Sequence, residues 1–342
     1  MKRKIPFTLA ALALFGLPAC GGGGSAAGGK LIPEQATMMG GIDVAGLMKT
    51  SLYADNKAEV EKRPEWKEMQ ETAKACNLDI EKAVSSVLVG TDGKDGFAAV
   101  ITGDGIGDEK NLNCLNDKAK EKNGGKNAFT IVDDGGKKAL KMEGDKAGGW
   151  IVDGRTVVIA SKPWQPAVKD LIDGKGKPAS EGPNKDLFAR ADQSKHIWGA
   201  GLVPANVASD AKAMGADLKD MSGSLDFSSG LNLQATAGLG SAEQATNMKK
   251  MADEQMKAAE MFAGMVGLAE AVKRVQVTTK DATISVAANV TNDEIKGAKD
   301  KAGALMGMFG GGGGGGGMAE PPAQPATPPP AADPAAAPAP TP

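Results

Sequence analysis

Leu231-Asn232-Leu233-Gln234-Ala235-Thr236-Ala237-Gly238 is the stretch whose reading decides the fold class. Leu231, Leu233, Ala235 and Ala237 alternate with polar residues, the period of a strand with one buried face. Met221 to Phe227 precedes it across Ser228-Ser229-Gly230, which makes the pair a hairpin. Ser241 and Gln244 then form a capping box for a long helix expected to reach about Lys273. A second hairpin follows, Val275 to Thr279 and Thr283 to Val290, turning at Lys280-Asp281. Thr291 caps a last helix, Asn292 to Leu305, while His196 to Val203 (extended) and Val207 to Leu218 (helical) open this part of the chain.

The same order is read upstream. Thr37 to Asp43 is extended, and a helix starts at Pro64, a residue suited to the first helical position. Its apolar positions Trp66, Met69, Ala73 and Cys76 recur three or four apart. Strands Val84 to Gly90 and Gly96 to Thr102 flank the turn Thr91-Asp92-Gly93-Lys94-Asp95. A helix from about Asp108 turns Leu112, Leu115 and Ala119 inward. Phe129 to Asp133, Lys138 to Glu143 and Gly148 to Ala160 read as strands, the last bent at Asp153-Gly154, before a helix from Pro163 to Ile172. The expectation is an α+β fold: two pattern-repeated halves of mainly antiparallel sheet, with helices packed on one face. The halves span 30–172 and 185–309, with a Gly-, Pro- and Lys-rich joint at 173–184. Whether they share one sheet is left open by the pattern.

The ends read differently. Gly310 to Gly317 is a glycine run, and 318–342 is almost wholly Pro and Ala, so 310–342 is expected to be a disordered tail with no core to repay its ordering. At the other end Lys2, Arg3 and Lys4 precede a short apolar run, Ile5 to Leu17. A membrane-spanning helix needs about 20 apolar residues, so this is the outline of a signal peptide, 1–19. It closes on Leu17-Pro18-Ala19-Cys20, which resembles the lipobox of bacterial lipoproteins, with Pro18 departing from the small or β-branched residue usual there. The alternative is an ordinary signal peptide cut later, near Ala27. The body resembles, in outline only, the many uncharacterised lipoproteins of bacterial envelopes.

That resemblance implies cleavage before Cys20 and attachment of palmitate-like acyl chains, through a thioether at its sulfur and an amide at its amine. Each chain adds about 0.8 kcal/mol per buried methylene, and more than one holds stably. Residues 20–29, a Gly/Ser-rich tether, would leave the body free to move near the bilayer. Gly21 after the cysteine is compatible with outer-membrane sorting in a two-membrane cell. Of three cysteines, removing Cys20 leaves Cys76 and Cys114, an even pair in an oxidising compartment and hence an expected disulfide. Closing that loop contributes about 4 kcal/mol in the chain-entropy picture. Two independent buried thiols are the alternative.

Composition excludes more than it assigns. Forty Lys and Arg against 42 Asp and Glu, a net charge of −2, provide no field for nucleic acid. Aromatics at 4 %, with Tyr53 the single tyrosine, leave 16 methionines and the aliphatics to build the core. Trp66, Trp150, Trp164 and Trp198 are scattered and read as core anchors. The single histidine, His196, is read as a strand-end residue; one histidine makes no metal cluster, and no Gly-x-Ser-x-Gly elbow is present. Thr102-Gly103-Asp104-Gly105-Ile106-Gly107 lacks phosphate-loop spacing and reads as a connecting turn, and Asp92 to Gly96 lacks the alternate ligands of a calcium loop. No catalytic set, metal or cofactor is expected.

The remaining lead is the Met-rich long helix, where Met248, Met251, Met256 and Phe262 form a possible hydrophobic ligand surface, or else gap-filling core. The leading expectation is therefore a non-enzymatic, membrane-anchored envelope protein that binds or scaffolds another component. The alternatives are a carrier of lipid or another hydrophobic ligand, and an envelope hydrolase working through carboxylates.

Overall fold

The structure, a computed structural model, describes residues 29–310 except 145 and 214, and for 302–310 the backbone alone. Cys20, its tether and the tail after 310 lie outside the described residues. The chain divides into one unit ending at Lys301 and another beginning at Ala302, and the sheet belongs wholly to the first.

Among the described residues twelve strands form a single sheet: β1 Met38–Asp43, β2 Ser86–Thr91, β3 Phe97–Thr102, β4 Phe129–Asp134, β5 Lys137–Met142, β6 Ala147–Asp153, β7 Thr156–Ser161, β8 Ile197–Leu202, β9 Leu218–Asp226, β10 Leu231–Leu239, β11 Gln276–Lys280 and β12 Thr283–Val290. Their order is β11-β12-β10-β9-β8-β1-β2-β3-β7-β6-β5-β4, and the pairings are antiparallel. The strands of both halves thus lie in one sheet. β1 bonds β2 on one side and β8 on the other, with Gly40 opposite both Val89 and Gly199. The segment 173–184 is hydrogen-bonded to the residues before β1: Ala179 N–H donates to Ile32 O, Glu34 N–H to Lys177 O, and Asn184 Nδ2 to Ala36 O.

Helices of eight residues or more are α1 Ser51–Lys62, α2 Pro64–Ala75, α3 Glu109–Lys122, α4 Gln165–Ile172, α5 Ala205–Ala213, α6 Ala242–Val266 and α7 Asn292–Gly310. α2 carries Pro64 at its first position. α6 opens on Ser241, whose Oγ accepts from Gln244 N–H while Gln244 Oε1 accepts from Gly240 N–H. The expected disulfide is present: Cys76, capping α2, is bonded to Cys114 in α3, 38 residues on.

Register fixes which residues share a face. One row crosses the front of the sheet: Trp150, Val158, Val100, Leu88, Gly41, Trp198, Ser224, Gln234. Its first part is the main core, packed under Trp164 and under Val168 of α4. Gly41 makes room there, since a Cβ would stand 2.8 Å from Leu88 Cδ1 and 3.2 Å from the Trp198 indole nitrogen. On the back, Leu112 of α3 packs on Leu140 and Val157. Farther along the same face, Ala245 of α6 packs with Val277 and Ile284.

Three local expectations are corrected. Helices pack on both faces of the β3–β7–β6 flank, because those strands are apolar on both sides: Val157 and Val158 are adjacent and both buried. The run from Gly148 to Ala160 is two paired strands, β6 and β7, turning where Asp153 Oδ1 accepts from Arg155 N–H. The long helix stops at Val266, because Gly267 takes φ +81°, a left-handed conformation natural to glycine, and a short helix Ala269–Lys273 follows.

Candidate functional site

α6 has two apolar sides. At about 100° per residue, Ala245, Met248, Ala252 and Met256 lie on one stripe, which meets Leu239, Val277, Ile284 and Val286 of the sheet region. Met251, Ala258, Phe262 and Met265 lie on a second stripe, since Met251 and Phe262 are about three turns apart. This second stripe faces outward: Met251 is 52 % exposed, Phe262 68 % and Met265 61 %, with Met261 beside them at 74 %. The four residues singled out from sequence therefore divide. Met248 and Met256 join the core, while Met251 and Phe262 sit on the surface. Single exposed apolar side chains are ordinary; a row of large ones on one helix is the kind of patch that marks contact surfaces.

A second cluster gathers where β8 begins and β9 ends. His196 Nδ1 lies 2.9 Å from Asp226 Oδ1 and 3.1 Å from Phe227 N. These contacts exclude each other: the ring accepts from Phe227 N–H when the proton is on Nε2, and donates to Asp226 when Nδ1 carries it. Asp226 also accepts from Ser228 Oγ at 2.7 Å, from Ser228 N at 3.0 Å and from Lys195 Nζ at 3.0 Å. Burial alone raises the Asp226 carboxyl, yet the Ser228 and Lys195 donors overcome it and hold the group far below the usual range. Ser228 and His196 both turn to the carboxylate, so the serine hydroxyl is not handed to the imidazole as in a nucleophilic relay. Sequence reading placed His196 at a strand end and missed Asp226, thirty positions away, for which no local signal exists.

The glycine-rich turn 103–107 works by close approach: a Cβ at Gly103 would strike the Ala83 carbonyl and one at Gly107 that of Asp153. Asp92 is occupied by its own turn, accepting from Lys94 and Gly96 N–H. Trp150, Trp164 and Trp198 are buried as expected of anchors, whereas Trp66 is half-buried. A shallow groove of about 500 Å³ lies by β4 and β5, with the Lys126–Glu143 ion pair among its lining residues. Among the described residues no group of three or more His, Cys, Asp or Glu is placed to hold a metal, and no helix is long and apolar enough to cross a membrane.

No protein-family model and no curated protein matches the chain. A solved structure titled crystal form I of TP0453 is similar at 10 % identity and a TM-score of 0.45, over 79 % of this chain and 95 % of that one. A likeness that distant carries no argument about function.

Proposed function

We propose that this chain is an envelope lipoprotein, held to a membrane by acyl chains on Cys20, that works by binding another component through the outward stripe of α6. The observation carrying the reading is that Met251, Phe262 and Met265 are exposed on a helix whose other side is already packed. The two flanks of the sheet are read as variants of one plan, strand, hairpin, helix and returning strands, with β7 beside β3 in one and β12 beside β10 in the other.

A binding role also fits the ionisable groups. Glu59, Asp79, Asp134, Asp173, Asp192, Asp217, Asp226 and Glu294 are all held below their ordinary range by neighbouring donors, chiefly lysines, an arginine and serine or threonine groups. A carboxyl acting as general acid near neutrality needs the opposite shift. Among the described residues no Asp or Glu is fully buried. The carrier reading would put its ligand between α6 and the sheet, where Met248, Ala252 and Met256 already pack on the core.

Mass spectrometry of the mature chain from its native membrane tests the anchor. Its first residue should be an acylated Cys20, and Cys20→Ser should move the chain to the aqueous phase; an unmodified start near Ser25 or Gly28 would overturn it. Solvent extraction of the purified chain should release no stoichiometric lipid, and recovery of one would favour the carrier.

A further inference from the structure

We propose that the outward stripe of α6 pairs, antiparallel and two-fold, with the same stripe of a second copy of this chain. This names the partner for the surface proposed above and rests on that reading, though not on the anchor. Met251, Gln255, Ala258, Phe262 and Met265 follow one another at alternating steps of four and three, the spacing of a helix-pairing seam. Setting Phe262 opposite the second copy's Met251 also sets Ala258 opposite Gln255, with Met265 at each end of the seam. Large residues then flank a crossing where Ala258 lets the backbones approach.

The flanking charges match as well. Glu254 and Lys257 are exposed beside the stripe, and among the described residues neither has an ion-pair partner, whereas Lys249 is paired to Asp253 at 2.6 Å. In the antiparallel register Glu254 of each copy runs beside Lys257 of the other, so the two-fold axis makes the contact twice. A bilayer is the poorer occupant. α6 carries Lys249, Lys250 and Lys257 against Glu243, Asp253, Glu254 and Glu260, whereas helices that lie in a membrane surface have a basic polar face. The stripe is about 21 Å long, which makes this a small contact, below the roughly 1,200 Å² of stable interfaces. Pairing should therefore be weak in solution and strengthen where copies are concentrated on one membrane.

Two measurements on the full chain test this, each repeated with Cys20→Ser so that loss of acylation and loss of pairing are read separately. Sedimentation velocity in mild detergent should show a concentration-dependent dimer. Phe262→Asp should weaken it about tenfold. Glu254→Lys and Lys257→Glu should each weaken it about two- to fivefold, and combining them should restore it. A short bismaleimide should link Met251→Cys/Phe262→Cys chains into dimers. It should leave Phe262→Cys alone unlinked, because the two Phe262 positions would lie about 16 Å apart. Three results would overturn the proposal: a monomer at every concentration, equal linking of the single Phe262→Cys chain, or vesicle binding by the Cys20→Ser chain that Phe262→Asp abolishes without any self-association.

Discussion

The front row of the sheet is apolar on one flank and polar on the other. From Trp150 through Val158, Val100 and Leu88 to Trp198 it is sealed under α4 and the Trp164 segment. Beyond Trp198 the same row continues as Ser224, polar though still buried, and then Gln234, which is exposed. The backbone is equally regular on both sides, so hydrogen bonding is not what distinguishes them. Coverage is. Strands covered on both faces must be apolar on both, and strands covered on one face alternate.

That contrast can be broken most forcefully at its boundary. Trp198→Ala should lower stability by about 3–5 kcal/mol, as expected for emptying a buried aromatic site, read from urea denaturation at constant slope. Gln234→Thr, on the same row beyond the boundary, should change it by no more than about 0.5 kcal/mol, since it exchanges one exposed polar strand residue for another. Equal losses at the two sites would erase the distinction.

The disulfide belongs to the covered flank, and replacing Cys76 and Cys114 together by alanine should cost about 2–4 kcal/mol. Thermal unfolding with and without reductant gives the same comparison without mutation. Asp226 sharpens the boundary from the other side. Asp226→Asn should cost about 1.5–3 kcal/mol near neutral pH through its charge-assisted bonds to Lys195 and Ser228. The folded carboxyl ionises more readily than the unfolded one, so its contribution is complete above the ordinary value of about 3.9 and fades as the pH falls below it. The acid limb of the stability curve should therefore be shallower in Asp226→Asn. One change should be a gain: Gly264, near the end of α6, has open space around an added Cβ. Gly264→Ala should raise stability by up to about 1 kcal/mol, measurable as a higher Tm.

The contrast also accounts for what could be read from sequence. β10 is nearly complete in the alternation Leu231 to Gly238 because one of its faces is polar. β6 and β7 merged into one expected strand because residues 147–152 and 156–160 are almost uniformly apolar, and a strand buried on both sides loses its period. α1 went unread: none of its residues is buried, so it lacks the stripe by which a helix is recognised. The methionine content of α6 is legible in the sequence, but its inward and outward positions are not told apart there, since Met248 and Met251 are the same residue type one turn apart. The order of the strands, and the meeting of His196 with Asp226, depend on contacts too distant in sequence to leave a local mark.

β1 has a further consequence, for the order of events when the chain folds. Met38–Asp43 must find β2 about 50 positions on and β8 about 160 positions on, and only the second contact closes its open edge. Contacts of such separation are slow to form, and an unpaired edge invites pairing with other chains in the interval. The β1 edge carries Gly40 and Gly41, so the strand left waiting is a weak template in isolation. A chain delivered from its N-terminus would hold that edge open until residue 202 had emerged, which makes completion of β8 the step at which the sheet becomes safe from its neighbours.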